Sequence, residues 1–229
     1  EDVEQALRIM MGLEAGATGF TAGKVGIVGS SAGGHLAASA STLAETKPAF
    51  SILFYPVITA EKGKGHQGSF NALLGGSRNA ESDTWYSLQN RVTAQTPPTL
   101  LLLSDDDKVV PPVNSTLYYN ALKEHGVKAS MHIYPTGGHG WGIRDHFEYK
   151  EQWQQATLDW LKELNDDRNT ASVLLRQPGL PGCVDVGIRP ATSRKSAGRE
   201  LAEAAVQAAV QEFGQQVRSR RESDWPAGQ

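Results

Sequence analysis

VGIVGSSAGGHLAASA, residues 25–40, is the stretch on which the reading of this chain turns. It holds the pattern Gly29-x-Ser31-x-Gly33, preceded by an apolar run rich in β-branched residues and followed by small residues that a helix tolerates. A strand, a turn too sharp for ordinary side chains and then a helix form the setting in which a serine hydroxyl is held out as a nucleophile. Ser31 is the residue that such a turn projects. Gly29 and Gly33 are expected to be glycines because a Cβ at either would strike the adjoining strand or helix. The helix beginning after Ser31 aims its unpaired N–H groups at any negative charge forming there.

Outward from this turn, four short apolar segments bounded by turn residues read as buried parallel strands: about 24–29 (KVGIVG), 50–55 (FSILFY), 99–104 (TLLLLS) and 129–134 (ASMHIY). Helical patterns alternate with them over about 33–45, 112–125 and 145–164, the last with Tyr149, Trp153, Ala156, Trp160 and Leu164 at helical spacing. Alternation of this kind predicts an α/β fold with a doubly wound, mostly parallel sheet. The connection 56–98 is longer than a plain crossover. Its glycine-rich first part reads as a flexible cap or a surface excursion, and about 81–88 as a short helix. A helix opens the chain, with Asp2 as its cap. Residues 1–165 are expected to form the α/β region. Residues 166–229 read as a polar linker with Pro178, Pro181 and Pro190, one amphipathic helix at about 197–218, and a disordered tail.

A serine hydroxyl needs a base to take its proton, and that base needs an acid to fix its tautomer. In a doubly wound sheet such groups sit beyond the carboxyl ends of the strands. Strand 99–104 runs into Ser104-Asp105-Asp106-Asp107-Lys108-Val109-Val110-Pro111. Asp107 is the first choice as acid and Asp106 the alternative, while Asp105 is expected to cap the turn. Strand 129–134 runs into Pro135-Thr136-Gly137-Gly138-His139-Gly140-Trp141-Gly142, where a histidine among glycines sits on a loop and is available as base. Among the other histidines, His35 follows Ser31 by one helical turn and borders the site. His35 and Trp141 are the candidate substrate contacts. The backbone N–H of Ala32 is the expected donor to an oxyanion. The second donor normally comes from a glycine-rich loop earlier in a chain, and residues 1–21 hold no such loop.

VGIVGSSAGGHLAAS, TPPTLLLLSDDDKVVPPVNSTLYYNAL and MHIYPTGGHGWG resemble the α/β-hydrolase superfamily, in the branch of acetyl xylan esterase-like and related lipase/esterase proteins. The resemblance covers about residues 1–164. It implies Ser31 as nucleophile, Asp107 as acid, His139 as base and Ala32 as oxyanion donor, acting on acyl esters, often acetyl groups on plant polysaccharides, in a secreted or periplasmic setting. It also implies a larger sheet of which this chain supplies the later strands, as an N-terminally truncated hydrolase would. A serine peptidase of the prolyl-oligopeptidase type shares the fold and the Asp-x-x-Val-Pro pattern and is the rival enzymatic reading. An α/β unit left inactive for want of the second oxyanion donor is the rival from another class, since one donor is worth about 10²–10³ in rate.

The 229 residues carry a net charge of −3, which gives nucleic acid or an anionic membrane surface no purchase. No apolar run approaches a membrane span. A single cysteine, Cys183, excludes an internal disulfide framework. No cofactor or metal is expected, for the acidic run lacks calcium-loop spacing and neither HExxH nor CxxC occurs.

Overall fold

Apolar runs too short for helices and flanked by turn residues become strands, and here they pair in the order in which they occur. A computed structural model describes residues 2–12, 24–142 and 144–174 of the chain. Its four-stranded sheet has the order β1 (Ile27–Ser30), β2 (Ser51–Phe54), β3 (Thr99–Ser104), β4 (Ala129–Tyr134). All three pairings are parallel, with Ile27 opposite Ser51, Ser51 opposite Thr99 and Thr99 opposite Ala129. Every residue of β2 and β3 is buried, as a sheet covered on both faces requires.

Among the described residues the α-helices are α1 (Asp2–Gly12), α2 (Ala32–Thr42), α3 (Gln67–Leu74), α4 (Ala80–Tyr86), α5 (Val113–Glu124) and α6 (Lys150–Leu174), with 3-10 turns at Gly75–Ser77 and Leu88–Arg91. Asp2, expected to cap α1, is its first helical residue. The chain falls into two units, residues 1–142 with 146–160 and residues 143–145 with 161–229. The expected boundary after residue 165 lies within α6, which continues to Leu174. The helix expected over 197–218, the proline-rich linker and Cys183 lie outside the described residues.

In the first unit Leu53 and Leu101 of the sheet pack with Ala37 and Ala38 of α2 and with Tyr118, Ala121 and Leu122 of α5. Leu101 is fully buried, and cutting such a side chain back to Ala costs about 2–5 kcal/mol. The segment 55–98 is built rather than slack: residues 55–60 are all buried. His66 caps α3 by accepting from the Ser69 N–H, and Asn79 and Ser82 form a capping box on α4. Asn114, wholly buried on α5, ties this segment down. Its Oδ1 accepts from the N–H groups of Ile58 and Thr59 at 3.0 and 3.1 Å, and its Nδ2 donates to the carbonyls of Lys64 and Pro111.

Candidate active site

Three loops meet beyond the carboxyl ends of β1, β3 and β4. The first follows β1 directly. Ser31 has φ 55° and ψ −122°, a region that a non-glycine residue enters at a cost of about 1–3 kcal/mol. Hydrogen bonds hold it there: its N–H donates to the Phe54 carbonyl at 3.0 Å, and its carbonyl accepts from the N–H groups of Val57 and His35. A Cβ on Gly29 would overlap the Gly33 carbonyl and approach Ala37 Cβ, so glycine is required there. Gly33 differs from expectation, since a Cβ at that position meets nothing within 4 Å. The second tight position is Gly34, where a Cβ would come within 2.7 Å of Pro56.

The second loop follows β3. Asp107 is 4% exposed, and its Oδ1 accepts from the N–H groups of both Val109 and Val110 at 2.9 Å. Those two bonds fix the carboxylate so that Oδ2 faces His139 Nδ1, at 2.6 Å. The third loop follows β4 and carries His139, whose Nε2 lies 2.8 Å from Ser31 Oγ. A carboxylate can only accept, so Nδ1 carries the proton and Nε2 offers its lone pair to the serine hydroxyl. The hydroxyl, imidazole and carboxylate therefore form one continuous chain of hydrogen bonds from three strand ends.

Asp106, the alternative acid, faces elsewhere: its carboxylate accepts from the backbone N–H groups of Gly138 at 2.7 Å and Gly137 at 3.4 Å. Asp105 donates its backbone N–H to the Tyr134 carbonyl. Trp141 is 2% exposed. Its indole N–H donates to Ser104 Oγ at 2.8 Å and its ring stacks on Phe147 at 3.9 Å, so it lies beneath the histidine loop with little surface to offer a ligand. Tyr55, at the end of β2, escaped sequence reasoning. It has φ 35°, and its ring lies edge-on to His139 at 4.7 Å and to Trp141 at 5.2 Å. The only signal for it was an aromatic residue before proline at a strand end.

His35 is 9% exposed, with Nδ1 on the Val57 carbonyl and its ring edge-on to Phe70. A carbonyl only accepts, so Nδ1 donates; the buried Nε2 has no partner among the described residues. Burial pushes the imidazole below its usual 6.5, opposed by the Val57 bond, and keeps it neutral. With Ala32, Leu36, Val57, Phe70 and Tyr86 it walls a cavity of 290 Å³, mostly apolar. Ala32 opens α2, so its N–H has no carbonyl one turn earlier to bond and is left for an incoming group. Of the remaining histidines, His125 closes α5 on the Ala121 carbonyl, His132 lies in β4, and His146 lies in the turns before α6. Among the described residues no cluster of three or more His, Cys, Asp or Glu is placed to hold a metal, and no helix is long and apolar enough to cross a membrane.

Residues 9–167 match the prolyl oligopeptidase family. Among curated proteins the chain is 40% identical over 169 residues to an acetylxylan esterase of Xylanibacter ruminicola, an alignment spanning 71% of this chain and 35% of that protein. It is 32% identical over 153 residues to endo-1,4-beta-xylanase B of Butyrivibrio fibrisolvens, spanning 61% of this chain and 24% of that one. The chain thus spans about a third or less of these relatives. Among solved structures, an acetyl ester-xyloside bifunctional hydrolase from Caldicellulosiruptor lactoaceticus superposes with a TM-score of 0.65 at 32% identity, over 72% of this chain and 65% of that one.

Proposed function

Because the chain belongs to the prolyl oligopeptidase family, a hydrolase site is the premise, and we propose that the whole protein is a serine carboxylic-ester hydrolase. Its proposed substrates are acetyl or other short acyl groups carried on a carbohydrate. The relay from Ser31 Oγ through His139 to Asp107 carries this reading, and the esterase relatives support its choice of substrate.

His139 Nε2 accepts the Ser31 proton as Oγ attacks the ester carbonyl carbon. The carbonyl π electrons move to oxygen, and the N–H of Ala32 donates to the oxyanion. Collapse breaks the bond to the alkoxy oxygen, which leaves with the proton held on His139 Nε2. Water then attacks the acyl-serine, giving one proton to His139 Nε2, which passes it to Ser31 Oγ as the acyl C–O bond breaks and the carboxylic acid leaves. The Asp107 carboxylate accepts from Nδ1 throughout and holds the imidazole in the donating-Nδ1 tautomer. The buried, neutral His35 shapes the cavity wall beside Ala32, and Trp141 supports the histidine loop from below.

A serine peptidase is the second reading, favoured by the family match itself. Turnover of p-nitrophenyl acetate and acetylated xylo-oligosaccharides, without turnover of a peptide anilide, is the expected result. The converse selectivity would transfer the chain to the peptidases. In both cases Ser31→Ala and His139→Ala should abolish turnover.

A further inference from the structure

We propose that Asp106 is a positioning residue, which anchors the histidine loop through backbone bonds while its neighbour Asp107 holds the imidazole. This inference rests on the proposed roles of Ser31 and His139.

The composition of the histidine loop makes an anchor necessary. Gly137, Gly138, Gly140 and Gly142 surround His139, and all four have positive φ, at 134°, 59°, 81° and 43°. Glycine reaches such conformations freely, and for the same reason gains most by leaving them. A base carried on this sequence is held only as firmly as the loop is tied. On the carboxyl side the tie is Trp141, pinned by Ser104 Oγ and the Phe147 ring. On the amino side, a Cβ on Gly137 would collide with the Phe147 ring and Ser104 Oγ, and the N–H groups of Gly137 and Gly138 both converge on the Asp106 carboxylate. The 2.7 Å bond from Gly138 is of the length of a charge-assisted bond to a carboxylate.

Adjacent residues on a turn point their side chains apart. The acidic run therefore divides its work: Asp107 turns inward to the ring and Asp106 outward to the backbone before it. The chemical need is strict. Proton transfer requires Nε2 within hydrogen-bond reach of Oγ, and misplacement by about 1 Å costs about 10²-fold.

The test compares Asp106→Ala, Asp106→Asn and Asp105→Ala with the parent chain, alongside Ser31→Ala. Three quantities are measured: kcat and KM on p-nitrophenyl acetate, the second-order rate of Ser31 labelling by a fluorophosphonate, and the thermal midpoint. Asp106→Ala is expected to lower kcat and the labelling rate together by about tenfold or more, with KM within twofold. Asp106→Asn keeps an acceptor for the stronger Gly138 bond and should recover most of the loss. Asp105→Ala should match the parent.

The proposal is overturned if Asp106→Ala labels and turns over within twofold of the parent. It is equally overturned if Asn fails to recover activity while remaining folded, or if KM rises while kcat holds. Should Ala not fold, Asp106→Leu, which likewise offers the two N–H groups no acceptor, takes its place under the same criteria. If Ser31→Ala retains labelling and turnover, the hydrolase reading itself has failed, a result distinct from loss of the Asp106 role alone.

Discussion

Replacing Asp107 by Asn exchanges one carboxylate oxygen for NH2 and leaves the shape of the side chain almost unchanged. The structure dictates which way the amide turns. Val109 and Val110 both present N–H donors to Oδ1 at 2.9 Å, so the carbonyl oxygen must stay on that side. The NH2 then faces His139 Nδ1, which at 2.6 Å is too close for two donors. His139 must give up the proton on Nδ1 and carry it on Nε2, where it can no longer accept from Ser31. An equivalent reversal of tautomer lowers kcat by about 10⁴ in other serine hydrolases, or about 5.5 kcal/mol of barrier at 1.36 kcal/mol per tenfold. Both loop bonds survive, so the thermal midpoint should shift by only about 2 °C. Stopped-flow and steady-state turnover of p-nitrophenyl acetate, with circular dichroism as the check on folding, measure both numbers. A folded Asp107→Asn protein with kcat within tenfold of the parent would refute the assignment of Asp107 as the partner of the base.

Two glycines of the serine turn should separate cleanly. Gly29→Ala places a Cβ on the Gly33 carbonyl and should abolish soluble, folded protein, whereas Gly33→Ala enters open space on α2 and should gain about 0.5–1 kcal/mol of helix stability, read by urea denaturation. Asn114→Ala strands the N–H donors of Ile58 and Thr59 and the Lys64 carbonyl, while the Pro111 carbonyl keeps the backbone N–H of residue 114; at about 1–3 kcal/mol for each group left unpaired, partly offset by entering water, a loss of about 3 kcal/mol or more is expected in the same assay. His35 makes stability depend on pH. Its folded value lies below 6.5, so the unfolded chain binds the proton more readily, and the stabilisation, complete above 6.5, is lost as pH falls through the lowered value. His35→Gln should therefore show a smaller drop in urea midpoint between pH 7.5 and 5 than the parent, and an unchanged drop would contradict the burial argument.

Much of this was legible because it depends on local patterns. β3 and β4 lie at 99–104 and 129–134 as the apolar runs indicate. Ser31, Asp107 and His139, each following the end of an apolar strand, are brought by the structure into one chain of hydrogen bonds. β1 is shifted to Ile27–Ser30 because pairing decides its limits: Ser30 finds a partner in Phe54. What sequence cannot show is which neighbour a side chain will meet. Gly33 and Gly34 are indistinguishable on paper, yet only Gly34 faces Pro56. The three aspartates look alike until the turn after β3 sends Asp106 to backbone amides and Asp107 to the imidazole. Glycines at 63, 65, 68, 75 and 76 obscured α3, whose boundary is set by His66 acting as a cap. Trp141, two residues after His139, is buried by its stack on Phe147, a contact no spacing rule supplies.

Whether Ser31 is a nucleophile activated by His139 is read out by peptide mapping with mass spectrometry after fluorophosphonate treatment. A single phosphonyl adduct is expected on the peptide bearing Ser31, absent from Ser31→Ala and formed at least a hundredfold more slowly in His139→Ala, of the order expected on losing the general base. An adduct on another residue, or labelling of the folded chain that His139→Ala leaves unchanged, would contradict it.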